Sequence, residues 1–139
     1  MTYGEVKEKI RDYGFEEDST MQEYSTVVKN AVNAAQMFLY DDIVVYLAAY
    51  YKRELSTSEK EWKPERPKYI TDATEDDFVI NLPDNIIELL PLLASYFVWL
   101  DDDSVKATLY WNIFDDKRES IVSSCLKDAK ATITGGAGR

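Results

Sequence analysis

The chain has 139 residues, 45% of them hydrophobic and 30% charged, which suits one folded domain with its own core and excludes a disordered, charge-swollen chain. The formal net charge of -10 argues against a protein that coats DNA or RNA or is drawn to an anionic membrane. We therefore predict a single domain over residues 1–133, followed by a flexible glycine-containing tail over 134–139.

Three further features bear on location. Cys125 is the only cysteine, so no internal disulfide can form and a reducing compartment is expected. Residues 1–5 have no apolar signal core, so we expect no export by that route. The most apolar stretch, Leu89–Leu100, is interrupted by Pro91 and falls short of the roughly 20 residues that span a membrane. We interpret it as a buried core helix and expect no membrane partner.

Two capping boxes predict where the first helices begin. Thr2 with Glu5 starts a short helix that ends at Gly14, and Thr20 with Glu23 starts a second, longer one. Both segments show apolar residues at helical spacing. The first stripe is Tyr3, Val6, Ile10 and Tyr13; the second is Tyr24, Val27, Val28, Ala31, Ala35, Phe38 and Leu39.

The middle of the chain is harder to assign. Residues 43–47 are rich in β-branched side chains, which favour a strand, whereas the following alanines and charges favour a helix that continues to about Leu55; we predict the helix. Residues 56–77 contain prolines and mixed charges and should be irregular. Tyr69-Ile70 and Phe78-Val79-Ile80 flank a polar turn and predict a small antiparallel hairpin.

Two more helical regions complete the chain. Pro83 and Asp84 open the first, which Pro91 should kink or split near Leu90 before the core segment 92–100. Residues 101–104 form a predicted turn and N-cap, and the last long helix follows. Its predicted buried stripe is Leu109, Tyr110, Ile113, Phe114, Ile121 and Cys125, while Asp115, Asp116, Lys117, Arg118 and Glu119 should largely face solvent.

Candidate catalytic groups are few. The chain has no histidine, the commonest general base and transition-metal ligand, and Cys125 lies on the apolar side of its predicted helix. There is no glycine-rich phosphate loop. Clustered carboxylates could hold Mg²⁺, but they fit caps, turns and solvated faces better, and a lone Glu5-x-x-Glu8 lacks the second motif of helical pyrophosphohydrolases. We predict no catalytic residue, metal or cofactor.

Aromatic residues suggest contact surfaces. Ten tyrosines and three tryptophans are many for this length, and such side chains are enriched at protein interfaces. Trp99 and Trp111 fit the core. The segment Lys52–Lys68 has six basic and four acidic residues and includes one tryptophan, a mixture that fits a protein contact or stacking of single-stranded nucleic acid. The predicted partner-interface residues are Trp62, Tyr69, Tyr50 and Tyr51.

Three local patterns resemble the head-tail connector, or adaptor, proteins of tailed bacteriophages. The opening Met1-Thr2-Tyr3-Gly4-Glu5-Val6-Lys7 is similar to their first helix. Phe78-Val79-Ile80-Asn81-Leu82-Pro83-Asp84 resembles their strand into Leu-Pro-Asp. The stretch from Leu89 to Asp103 resembles their core helix with its acidic end. The segment 56–68 is longer and more charged than that family's pattern.

The resemblance implies a mostly α fold: a bundle of four to five helices with a small β-hairpin. It also implies a ring of identical subunits in the virion, assembled in the host cytoplasm, that joins portal and tail-completion proteins and lets DNA pass through its lumen without specific binding. Two alternatives stay open: a Mg²⁺-dependent all-helical hydrolase that uses facing carboxylates, and a generic helical protein-interaction adaptor.

Overall fold

The protein is mostly helical. A computed structural model describes residues 1–15, 18–48, 50 and 65–137. Within them, the helices are α1 (Tyr3–Gly14), α2 (Asp18–Glu23), α3 (Ser25–Leu39), α4 (Asp84–Ile87), α5 (Leu90–Trp99) and α6 (Ser104–Ala137). A π-helical turn, Tyr40–Val44, continues α3 directly.

The first helix begins where the capping box predicts. Glu5 N–H donates to Thr2 Oγ1 at 3.2 Å, and Thr2 N–H donates to Glu5 Oε1 at 3.2 Å. The Glu5 carboxylate accepts from the Thr2 backbone N–H and also from the Thr2 hydroxyl at 3.1 Å, and these two bonds hold the pKa of the Glu5 carboxyl below its ordinary value because they favour the ionised form. The expected end at Gly14 is also confirmed.

The second predicted helix is divided. It begins at Asp18 rather than at Thr20, and Tyr24 interrupts it, with φ of -99° and ψ of 14°. At this break the Tyr24 ring packs against Phe15 and Trp99, with ring centroids 5.4 and 5.7 Å away. Beyond the π-helical turn the chain is again helical at residues 48 and 50, and the expected end near Leu55 lies outside the described residues.

The core helix α5 confirms the effect predicted for Pro91. α4 ends at Ile87 and α5 starts at Leu90, so the proline occupies the first turn of a new helix, where its missing N–H costs nothing. α5 packs against α1, α3 and α6. It is therefore buried on most sides, with Leu90, Leu92, Leu93, Ala94 and Ser95 all at most 1% exposed.

The predicted β-hairpin is wrong. Residues 78–80 pair instead with the N-terminus: Tyr3 N–H donates to Phe78 O at 2.8 Å and Ile80 N–H to Met1 O at 3.0 Å. Together they make one isolated antiparallel bridge, Thr2 with Val79, and the described residues contain no extended strand. Ile70, the other expected strand, has its backbone N–H and C=O bound by the Asn33 side chain, so it cannot pair with residues 78–80.

The last helix begins as predicted and differs in the face that it buries. Asp103 caps it, accepting from Lys106 N–H at 3.1 Å. Tyr110, Phe114 and Cys125 are buried as expected. α6 continues to Ala137, and residues 138–139 lie outside the described part, so the flexible tail stays a prediction.

Candidate assembly surfaces

One face of α6 carries apolar side chains into solvent. Val105 is 81% exposed, Leu109 55% and Ile113 37%. They recur every four residues, so they form a continuous row over two turns, which we call the apolar stripe. The prediction that Leu109 and Ile113 are buried is therefore wrong.

The opposite face of α6 explains why the stripe is left outside. Ala107, Tyr110 and Phe114 are buried, and successive residues on a helix are separated by about 100°. Burying Tyr110 and Phe114 therefore turns their neighbours Leu109 and Ile113 away from the core. The sequence contains the signal for this, since α6 has apolar residues on two faces and only one can meet the bundle.

Exposed acidic residues flank the stripe at both of its ends. Asp101, Asp102 and Asp103 directly precede α6, and Asp116 and Glu119 lie three and six residues after Ile113, at or next to the same helix face. Among the nearby cations, only Lys117 is exposed. The stripe therefore presents an apolar row within a negatively charged rim.

The other two cations of this region bind groups inside the monomer. Lys106 Nζ donates to Gly14 O at 2.5 Å and lies 3.9 Å from the centre of the Trp99 ring. Arg118 binds Asp42 at 3.1 Å and also pairs with Asp115. These contacts tie α6 to α1 and to the π-helical turn, so the stripe rests on a fixed helix.

A second candidate surface is the segment 66–69, which we call the basic strip. It runs along α3, where Gln36 Nε2 donates to Lys68 O at 2.7 Å. Asn33 fixes the next residue, because Ile70 N–H donates to Asn33 Oδ1 at 2.7 Å and Asn33 Nδ2 donates to Ile70 O at 2.9 Å. Lys68 is exposed, and Tyr69 is 65% exposed although its neighbours' backbone is bound on both sides.

Arg66 fixes the other end of the basic strip. Its guanidinium binds Asp41 at 3.1 Å and lies 5.0 Å from the centre of the Tyr40 ring. The side chain is still 58% exposed, so a partner can reach it. The strip therefore displays two cations and a phenol on a backbone held by α3 and the π-helical turn.

The predicted interface residues have different surroundings. Tyr69 is exposed at the basic strip, whereas Tyr50 is half-buried and packs against the core. Tyr51 and Trp62 lie outside the described residues. Of the tryptophans expected in the core, Trp99 is buried and Trp111 is half-buried against it.

Several of the clustered carboxylates pair with cations or cap helices. Asp76 binds Lys7 at 2.6 Å and Asp72 binds Lys29 at 2.9 Å. Across the described ranges, no group of three or more His, Cys, Asp or Glu side chains is placed to hold a metal ion. Cys125 is 2% exposed and lies 3.7 Å from Asn85 Nδ2, which agrees with its predicted place in the core.

A groove lies between α1 and the start of α3. It has a volume of about 740 Å³, is open to solvent, and its walls include Tyr3, Lys7, Arg11, Ser25 and Asp76. Lys7 and Asp76 form an ion pair with each other in this wall. Burial, reinforced by the Asp76 and Asp72 charges, raises the pKa of the Tyr3 phenol above its ordinary value.

The comparisons with known proteins return nothing. No protein-family model, no curated protein and no solved structure matches this chain. In the part of the chain that is described, no helix is both long enough and apolar enough to cross a bilayer.

Proposed function

We propose that the protein is a structural subunit that assembles with copies of itself, as the head-tail connectors of tailed phages do. The apolar stripe on α6 is the observation that carries this proposal. Monomeric proteins usually show apolar side chains singly, and contiguous exposed rows mark contact sites. Here three large apolar residues follow one another along one helix face, with Val105 81% exposed.

The three local patterns at the N-terminus, at residues 78–84 and at residues 89–103 give the proposal its class. In that class the subunits form a ring between portal and tail-completion proteins in the virion, and DNA passes through the lumen. The net charge of -10 fits this role, because an acidic ring does not grip phosphates. In this proposal the protein is a structural subunit of an assembly, not an enzyme.

The alternative hydrolase has no support among the described residues. It needs at least three carboxylates around one ion, and Asp41, Asp42 and Asp115 each bind an arginine instead. A generic adaptor binds other proteins without assembling with itself, whereas a connector subunit also assembles with its own copies.

Light scattering over a range of concentrations, with electron micrographs of the same samples, tests the proposal. A connector subunit should give masses that rise toward a fixed multiple of 16.0 kDa, and annular particles in the images. A chain that remains monomeric up to millimolar concentration contradicts the proposal.

A further inference from the structure

The apolar stripe and the basic strip lie on different sides of the monomer. Phe38 of α3 packs against Trp111 and Phe114 of α6, with ring centroids 6.3 and 6.1 Å apart. Asn33 of the same helix binds the strip at Ile70. Positions 33 and 38 are separated by about 140° around a helix, so α6 and the strip flank α3 on separate sides.

The two surfaces also lie at a similar height along α3. Gln36, which binds Lys68, is two residues from Phe38, and two residues correspond to about 3 Å along a helix axis. Because α6 presents its stripe away from the core, the stripe faces outward on one flank of the bundle while the strip faces outward on another. A copy placed beside the first can thus bring its strip against the neighbouring stripe.

Their chemistry is complementary. The stripe is apolar with an acidic rim, and the strip offers a phenol ring beside Arg66 and Lys68. Asp41 already pairs with Arg66, and Glu65 is the other exposed acid beside the strip, so Lys68 is the cation most available to the rim. Tyrosine and arginine, both present in the strip, are enriched among the residues that carry most of the binding energy at protein interfaces.

The strip is also prepared for binding before it meets a partner. Hydrogen bonds from Asn33 and Gln36 fix the backbone on both sides of Tyr69, so docking this ring orders little further chain. Binding is stronger when such ordering is completed in advance.

We propose that the apolar stripe of one copy receives the basic strip of the next, with Tyr69 packed on Leu109 and Lys68 facing the acidic rim. This inference rests on the proposed self-assembly and adds which surfaces meet. Two different surfaces on one subunit make a head-to-tail contact, and such a contact closes into a ring when its rotation is a fraction of a full turn.

Mixing two complementary defective variants tests the pairing. Leu109→Asp removes the stripe, and the double variant Lys68→Glu with Tyr69→Ala removes the strip; all three side chains are exposed, so the folds should persist. Each variant alone should be monomeric in sedimentation velocity. Their mixture should form a 1:1 dimer and nothing larger, because one intact stripe and one intact strip remain. Circular dichroism melts verify that each variant is folded.

Val79→Asp is the matched control, since Val79 is 63% exposed on the isolated bridge and belongs to neither surface. It should assemble as the unaltered chain does, and a loss of assembly in this control would remove the claim of specific surfaces. If the strip variant assembles normally, or if the mixture stays monomeric, the pairing is wrong while self-assembly stands. An unaltered chain that never associates overturns the pairing and the proposed function together.

A charge-reversal experiment tests the role of the acidic rim. Asp116→Lys in one copy and Lys68→Glu in another reverse both charges, so each alone should weaken assembly and the mixture should recover it in part. Recovery should fade as salt is raised, because these charges lie at the surface. Equal assembly by all of these variants at low salt contradicts a role for the rim.

Discussion

The side-chain amide of Asn33 hydrogen-bonds to both backbone groups of Ile70, accepting at 2.7 Å and donating at 2.9 Å. It takes the place that a paired strand would occupy. Ile70 is 2% exposed, so neither of its backbone groups can turn to water instead. Together with Gln36, which donates to Lys68 O at 2.7 Å, this amide anchors the segment that carries Tyr69 to α3.

Replacing Asn33 with Ala should destabilise the protein by about 2 to 4 kcal/mol, because two buried backbone groups lose their partner and each costs about 1–3 kcal/mol. Asn30→Ala, a change at an exposed position of the same helix, should alter the free energy of unfolding by no more than about 0.5 kcal/mol. Urea unfolding of the three proteins measures both values. If Asn33→Ala lowers the free energy of unfolding by less than about 1 kcal/mol, the Asn33 amide does not anchor this segment.

Gly14 allows the Trp99 ring to pack directly on the end of α1. A Cβ at this position would lie 3.0 Å from Cε2 of the indole and closer still to its Nε1. The ring has little room to move, since Phe15 packs on it with centroids 4.9 Å apart and Lys106 lies 3.9 Å from the ring centre.

Gly14→Ala should therefore destabilise the protein by about 1–3 kcal/mol through overpacking. Helix propensity alone predicts the opposite sign, a gain of up to about 1 kcal/mol. Thermal unfolding decides between them, with Asp12→Ala, an exposed change in the same helix, as the control. A melting temperature that is unchanged or raised by Gly14→Ala would rule out the close contact with Trp99.

The Tyr24 phenol hydrogen-bonds to Asp102, and this bond and the carboxylate charge raise the pKa of Tyr24 above its ordinary value of 10.0. The neutral phenol is thus favoured in the folded state. The stability that it contributes is complete below pH 10.0 and is lost as the pH rises through the folded-state pKa.

Asp102→Asn removes the charge and should lower the pKa of Tyr24, whereas Asp101→Asn should change it less. A carbon-13 NMR titration of the tyrosine rings follows Tyr24 directly. Identical titration of Tyr24 in the original and Asp102→Asn proteins would argue against the bond.

Local signals predicted much of the fold. The capping box at Thr2, the division at Pro91 and the N-cap turn before α6 all depend on a few adjacent residues, and the structure confirms them. The mostly helical character follows from the same kind of signal. The helix break at Tyr24 was not predictable in this way, because no local stop signal marks it and the Tyr24 ring packs against the distant residue Trp99.

Long-range pairing was not predictable. The β-rich run at residues 78–80 correctly indicates extended backbone, but nothing in it distinguishes residues 69–70 from the N-terminus as the partner. Residues 69–70 are not available to pair because Asn33, 37 residues from Ile70 along the chain, binds the Ile70 backbone. An asparagine within a helical stripe gives no sign of such a bond.

The assembly surfaces show the same division between local and long-range information. The sequence shows the apolar residues of α6, but it does not show that Phe38 packs on Trp111 and Phe114, and without that contact Leu109 and Ile113 are indistinguishable from core residues. Tyr69, a predicted interface residue in a segment rich in basic and aromatic side chains, is exposed. Tyr51 and Trp62 lie outside the described residues and stay predictions.

Sedimentation velocity of the original chain and of Leu109→Asp, at equal concentrations and with matched thermal melts, tests self-assembly through α6 most directly. The original chain should sediment as an oligomer whose mass rises with concentration, and Leu109→Asp should sediment as a 16.0 kDa monomer with the same melting temperature. Equal oligomers of both proteins, or monomers of both at every concentration, would contradict assembly through the apolar stripe.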